Sequence, residues 1–270
     1  MKRILAVLLA GLMLLSLVAC GGKDDVAKHG VLEGSGMDSM RSDAHNKHTT
    51  FSAATNEIIN YSNLSAALMD LESGKIIGVG VEGCVADYIA ARNEKVVASK
   101  SNDAMTNFSM MTMDSNKEVY DILNNAIKDM KSDGTLDSLI SNELKAYIES
   151  DPEAKDLPKF DGARTIKIGV TGDVPPMDYV AANGKAAGFN IALLTDIANR
   201  AQVNIELVQI DSAARATALS TEKVDAVFWA KSVSCDSCDN VVFAEEIEGT
   251  LVTETYFCAA AAILMPNSDK

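Results

Sequence analysis

The sequence has little positive charge and few histidines, and each shortage argues against a class of function. Lysine and arginine total 24 against 38 acidic residues, which gives a formal net charge of −14 over 270 residues. A surface this acidic argues against binding nucleic acid or an anionic membrane through bulk charge. The three histidines all lie between residues 29 and 48. No nucleophile–histidine arrangement for covalent catalysis is therefore visible in the sequence.

The cysteines do not form a metal-binding pattern. Cys235 and Cys238 make a lone CxxC without a second pair, whereas a structural zinc site needs four ligands. A local disulfide between these two cysteines and two free thiols are the main alternatives, and a thioredoxin-like redox motif is a third. We expect no metal and no cofactor.

The first 20 residues have the features of an export signal. Lys2 and Arg3 precede an apolar run that is too short and too early for a membrane-spanning helix. The run ends in "LVAC" at Cys20, which resembles the bacterial lipobox, where cleavage leaves a lipidated cysteine. An ordinary signal peptide with a chance cysteine is the alternative. The lipobox implies a protein anchored by lipid to the extracytoplasmic face of the cell membrane, where disulfides are permitted.

Strand and helix patterns alternate in two stretches of the chain, residues 27–97 and 164–257. In the first stretch, "NLSAALMDLESG" predicts a helix that Gly74 ends, and "KIIGVGVEG" predicts a buried strand. In the second, "TIKIGV", "IELVQI" and "VDAVFWAKSV" predict strands with helices between them. Such alternation is typical of mostly parallel sheets flanked by helices. We therefore predict an α/β fold with two lobes.

The second stretch resembles amino-acid-type solute-binding proteins of ABC transporters. "IKIGVTGDVPPMDYVAANGKAAGFNIALLTDIANRAQVNIELVQI" has that family's opening strand, Pro-Pro loop and Leu-rich helix, and "ALSTEKVDAVF" has its next helix and strand. The earlier part of the chain resembles the family's later part: "HGVLEGSGMDSM" its second-lobe opening, and "VYDILNNAIKDMKSDGTLDSLI" its last helix. The resemblance implies a two-lobed periplasmic-binding-protein-like fold of type II, in circularly permuted order. Two half-domains from separate units are the alternative.

The resemblance also implies a division of the chain. In order, the segments are the signal peptide 1–20, the tether and second lobe 21–97, a crossover 98–115, helices on the first lobe 116–150, a linker 151–163, the first lobe 164–257, and a crossover strand with the carboxyl terminus 258–270.

Ligand-binding residues are carried over from the family where its motifs match. The set is Asp173, Met177, Tyr179, Trp229, Ser232, Ser234, Ser35, Gly36, Met37 and Glu82. Asp173, Met177 and Tyr179 belong to the Pro-Pro loop, with a purely structural role as the alternative. Glu82 stands where the family binds the ligand's ammonium group; an incidental glutamate at a helix start is the alternative. Trp229 is a cleft wall or a core residue.

The remaining members of the set come from two short motifs. Ser232 and Ser234 match hydroxyl positions after the "VDA" strand, and residues 35–37 match an anion-holding turn. The family's carboxylate-binding arginine would fall near Ser237 or Cys238, and neither residue can replace it. An amine on the ligand is therefore better supported than a carboxylate.

The function implied is capture of a small polar solute, an amino acid or related amine, by hinge closure of a monomeric clamp. The clamp would deliver the solute to an ABC permease and would not be an enzyme. One alternative is an exported dehydratase-like enzyme on the same fold, with Glu82 or Asp173 as acid or base. Another is a ligand-sensing lipoprotein without a transporter.

Overall fold

The structure, a computed structural model, describes residues 27–32, 56–145, 154, 156–234 and 248–268. The first elements are β1 (Ala27–Leu32), β2 (Asn56–Tyr61), α1 (Leu64–Glu72), β3 (Gly78–Glu82), α2 (Gly83–Arg92), β4 (Val96–Met113), α3 (Lys117–Asp133) and α4 (Thr135–Leu139). The later ones are β5 (Thr165–Val170), β6 (Asp173–Val174), β7 (Asp178–Val180), β8 (Ala186–Ala187), α5 (Phe189–Ala201), β9 (Asn204–Gln209), α6 (Arg215–Ser220), β10 (Ala226–Ser234), β11 (Thr250–Val252) and β12 (Phe257–Pro266).

The main sheet contains two parallel groups of strands joined by two antiparallel strands. Its order is β2-β1-β3-β12-β4-β10-β5-β9, and β11 adds to β4. β1 is parallel to β2 and β3, and β5 is parallel to β9 and β10. We call β1–β3 with α1 and α2 the amino-terminal group, and β5, β9, β10, α5 and α6 the carboxy-terminal group. The predicted α/β class, with mostly parallel strands flanked by helices, is confirmed.

β4 is one continuous strand of 18 residues. The polar residues near its middle break the strand pattern, but backbone pairing continues on both sides of them. Residues 96–100 and 105–108 pair with β12, and residues 104–112 pair with β10. β12 in turn pairs with β3 at residues 261–264. β4 and β12 therefore run side by side from one strand group to the other.

The helix pair after β4 follows its sequence closely. α3 buries one apolar face, which includes Val119, Leu123, Ile127 and Met130. It ends at Gly134, whose φ of 79° is in the left-handed region that glycine adopts without strain. α3 and α4 both pack against α5, so these helices cover one face of the carboxy-terminal group. No helix within the described ranges is long and apolar enough to span a membrane.

Residues 171–179, which we call the proline loop, are held against the start of α5. The backbone N–H groups of Phe189 and Asn190 donate to the carbonyl oxygens of Pro176 and Met177 at 2.9 and 2.8 Å. Gly188 precedes α5 with a φ of 112°. A Cβ atom there would lie against the carbonyl oxygen of Met177, closer than van der Waals contact allows. Only glycine therefore lets the loop approach the helix this closely.

Gly188→Ala should lower the free energy of unfolding by about 3 kcal/mol, because backbone strain and a clash with a buried carbonyl act together. Gly184→Ala is the matched control. Gly184 also has a left-handed φ, of 78°, but no atom lies within 4 Å of a Cβ placed there. It should lose only about 1 kcal/mol from strain. Equal losses in urea unfolding of the two variants would contradict the close approach at Gly188.

Candidate functional site

A pocket lies between the carboxyl ends of β1 and β3 and the proline loop that follows β5. β1 contributes Leu32 and β3 contributes Glu82, each the last residue of its strand. The lining residues are Leu32, Glu82, Phe108, Val174, Met177, Asp178, Asn190, Arg215, Phe228 and Trp229. Ligand sites of open α/β sheets occur at such carboxyl ends.

The pocket is narrow. The space between the lining residues, including the part open to solvent, is about 410 Å³. The cavity volume that water can occupy is only about 30 Å³. One water needs roughly 10–15 Å³ by that measure. The pocket therefore has room for a compact ligand of a few heavy atoms, or for a larger one only if the two groups separate.

Opposite charges enter the pocket from the two groups. Glu82 ends β3 and is buried, with 5% of its surface exposed. Arg215 is the first residue of α6. Burial raises the pKa values of Asp173 and Tyr256, and the positive charge of Arg215 opposes both shifts. A carboxylate and a guanidinium lining one cavity can bind the ammonium and carboxylate ends of a zwitterion.

Asp178 also lines the pocket, but both of its carboxylate oxygens accept hydrogen bonds from other residues of the chain. Oδ1 accepts hydrogen bonds from the Thr171 N–H, the Thr171 hydroxyl and the Gly172 N–H at 2.8 to 2.9 Å. Oδ2 accepts from Asn190 Nδ2 at 3.0 Å. These four bonds fix both ends of the proline loop, so we assign Asp178 a structural role.

The same network reaches the start of β12. The hydroxyl of Tyr256 donates to Asn190 Oδ1 at 3.0 Å. Tyr256 is 2% exposed, and burial together with the charge of Asp178 raises its pKa well above the ordinary value. Its ring packs near Phe108, Phe189 and Phe228, with centroid distances of 6.1 to 6.4 Å. Two of these buried rings, Phe108 and Phe228, line the pocket.

The proline loop contacts the helices of the amino-terminal group. Asp173 Oδ2 accepts from the N–H of Leu64 at 3.1 Å. Cys84 Sγ lies 3.7 Å from Met177 Sδ, and burial raises the pKa of its thiol. The rings of Tyr88 and Tyr179 are 6.2 Å apart. The two groups therefore touch at one side of the pocket.

The predicted site residues fall into three sets. Glu82, Met177 and Trp229 line the pocket. Asp173 and Tyr179 lie beside it, at the contacts with Leu64 and Tyr88. The third set cannot be placed: Cys20, Ser35, Gly36, Met37, Cys235 and Cys238 lie outside the described residues, as do the side chains of Ser232 and Ser234 on β10. The roles assigned to all of these residues stay predictions.

Two cysteines fall within the described residues. Cys84 is a buried free thiol. Cys258, in β12, is disulfide-bonded.

Sequence reasoning missed Arg215. The family resemblance predicted that a carboxylate-binding arginine would follow β10, near Ser237 or Cys238. Arg215 instead stands in "SAARATAL", before β10 in the chain. The sequence feature that could have indicated it is an arginine at the start of the short helix before β10. Asp178 and Asn190 carried no such signal, because their importance depends on contacts made only in the folded chain.

The model of the bacterial extracellular solute-binding proteins, family 3, matches residues 166–256. The predicted resemblance is confirmed over this segment, which supplies most of the pocket lining. No curated protein sequence matches the chain.

Several solved structures are similar. A ligand-binding component of an ABC-type import system from Staphylococcus aureus, crystallised with zinc, is 10% identical with a TM-score of 0.43. The match covers 89% of this chain and 65% of that one, so the chain spans less than two-thirds of that protein. A candidate lipoprotein of Clostridium difficile 630 is 10% identical over 92% of this chain and 86% of its own, with a TM-score of 0.41. The OxyR regulatory domain of Pseudomonas aeruginosa is 9% identical over 89% and 88%, with a TM-score of 0.41.

Proposed function

We propose that the protein is an extracytoplasmic solute-binding protein that closes around a small amino acid or related amine. One observation carries this proposal: a narrow pocket is lined by a carboxylate of the amino-terminal group and a guanidinium of the carboxy-terminal group. A ligand that bridges Glu82 and Arg215 would draw the two groups together. The family match over residues 166–256 supports a binding role.

Recognition follows from the residue chemistry. Arg215 would hold a carboxylate through two parallel hydrogen bonds, and Glu82 would accept from an ammonium group. Phe108, Phe228 and Trp229 would pack on the apolar part of the ligand. Arg215 would thus do the work of the arginine that is missing after β10. The sequence alone gave little support for a carboxylate on the ligand. Arg215 would bind such a group.

We also infer that the chain is a circular permutant of its family. β4 and β12 both pass between the strand groups and pair with each other, as the two interlobe connections of one clamp would. The segment 151–163 would then join the family's usual end to its usual start. A chain reopened in that segment, with residues 27 and 268 joined by a flexible linker, should fold and bind the same ligand. If it fails to fold, the permutation is contradicted.

Membrane anchoring and delivery to a permease complete the proposal. Lipid on Cys20 would hold the clamp at the outer face of the membrane. A labelled fatty acid fed to cells should be incorporated into the wild-type protein and not into Cys20→Ala. Absence of label from the wild-type protein would contradict lipid anchoring.

The binding proposal is tested by thermal unfolding of the chain from residue 21 onward with each amino acid and a set of polar amines. A ligand at 100 times its dissociation constant stabilises by about 2.7 kcal/mol. For a chain of this size that is a rise in Tm of roughly 5–10 °C. A panel in which no compound raises Tm would contradict an amino-acid-type ligand. Chemical conversion of the bound compound, followed by NMR, would favour the enzyme alternative.

A further inference from the structure

Asp173 caps a helix that belongs to the other strand group. Leu64 is the first residue of α1, and the first four N–H groups of a helix have no acceptor within it. Asn63 supplies one acceptor, to Ala66 N at 2.9 Å. Asp173 supplies another, to Leu64 N at 3.1 Å, from 109 residues away in the chain. The first turn of α1 contains no acidic residue of its own, so this carboxylate meets the positive end of the helix dipole.

The proline loop that carries Asp173 is rigid on its own side. Asp178 binds the backbone N–H groups of Thr171 and Gly172, the two residues just before Asp173. Val180 N also donates to the carbonyl oxygen of Gly172 at 3.2 Å. Because the loop is fixed to the carboxy-terminal group, the hydrogen bond from the Leu64 N–H to Asp173 connects the two groups.

Closure at this contact also covers the pocket. Met177, four residues after Asp173, lines the pocket and meets Cys84 in α2. α2 starts directly after Glu82, which lines the pocket from the amino-terminal group. The Leu64 contact therefore holds the loop over the space in which the ligand of the proposed function would lie.

We propose that Asp173 is a positioning residue for closure: its carboxylate oxygen latches the proline loop to α1 and does not contact the ligand. This inference rests on the proposed function, in which closure retains a ligand. It replaces the ligand-binding role that the sequence suggested for Asp173. The acceptor oxygen is the essential feature and the negative charge is secondary. Burial raises the pKa of Asp173, and the hydrogen bond from the Leu64 N–H opposes this shift.

The experiment uses ligand-free protein, so it does not depend on the ligand screen. Amide hydrogen exchange at Leu64 and the radius of gyration from small-angle X-ray scattering are measured for wild type and three variants. Asp173→Ala removes the acceptor, and Asp173→Asn keeps an acceptor oxygen without the charge. Asp211→Ala is the control, because Asp211 is an exposed carboxylate of the same strand group that caps no helix through its side chain.

We expect Asp173→Ala to speed exchange of the Leu64 amide at least about tenfold, as loss of one hydrogen bond to a carboxylate implies. Its radius of gyration should also increase. Asp173→Asn and Asp211→Ala should match wild type in both measurements. Unchanged exchange in Asp173→Ala would overturn the contact. Faster exchange without expansion would overturn the latch, leaving a local cap. An Asp173→Asn variant that behaves like Asp173→Ala would overturn the acceptor mechanism.

These outcomes separate the latch from the proposed function. If the ligand panel finds no binder while Asp173→Ala still opens the protein, the proposed ligand class fails and the latch stands. If a ligand binds and Asp173→Ala changes neither measurement, the latch fails and the binding function stands.

Discussion

Replacing Arg215 with alanine should weaken ligand binding at least about 100-fold, because two charge-assisted hydrogen bonds are lost together. The rise in Tm produced by the ligand should disappear at the concentrations that stabilise wild type. Arg215→Lys should also bind poorly, since an ammonium group cannot reproduce a planar pair of donors. Isothermal titration calorimetry with the best ligand of the panel measures the effect.

Arg200→Ala is the matched control for Arg215. Arg200 lies at the end of α5, where it pairs with Asp133 at 2.8 Å, and it does not line the pocket. Its ion pairs are at the surface and contribute little to stability. Arg200→Ala should therefore keep the wild-type affinity. If Arg215→Ala also keeps it, the ligand does not use the guanidinium, and the account of how a carboxylate is recognised is wrong.

Asp178→Ala should lower the free energy of unfolding by about 3–5 kcal/mol, because it leaves several buried donors without an acceptor. The donors are the N–H groups of Thr171 and Gly172, the Thr171 hydroxyl and Asn190 Nδ2. Urea unfolding gives the value directly. Asp211→Ala, at an exposed carboxylate, should change stability by only about 0.5 kcal/mol. A loss below about 1 kcal/mol in Asp178→Ala would contradict the structural role of this network.

Local elements of the fold were predictable because their signals are local. α1 with its glycine stop and the strands β3, β5, β9 and β10 follow from periodicity and turn residues. The continuity of β4 was not predictable. Polar residues at 101–103 interrupt the apolar pattern, and the strand is anchored by pairing with β12 before them and with β10 after them. Strand pairing between residues far apart in the sequence leaves no local pattern.

The site was predictable only in part, for the same reason. Glu82, Met177 and Trp229 lie in motifs with a recognisable place in the family, and the pocket brings them together. Asp173 also lies in such a motif, yet its oxygen is directed to Leu64 in the opposite group. Arg215 occupies a position that the family motif does not mark. The roles of Asp173 and Arg215 depend on which side chains meet after folding. The spacing of residues in the sequence does not determine these contacts.

The central claim is that residues from both strand groups bind one small ligand between them. A crystal structure of the protein with the best ligand of the panel tests it most directly. The account predicts ligand density between Glu82 and Arg215, with the proline loop closed over it. Density elsewhere, for example in the open surface groove beside Gln209 and Lys223, with the central pocket empty, would contradict the claim.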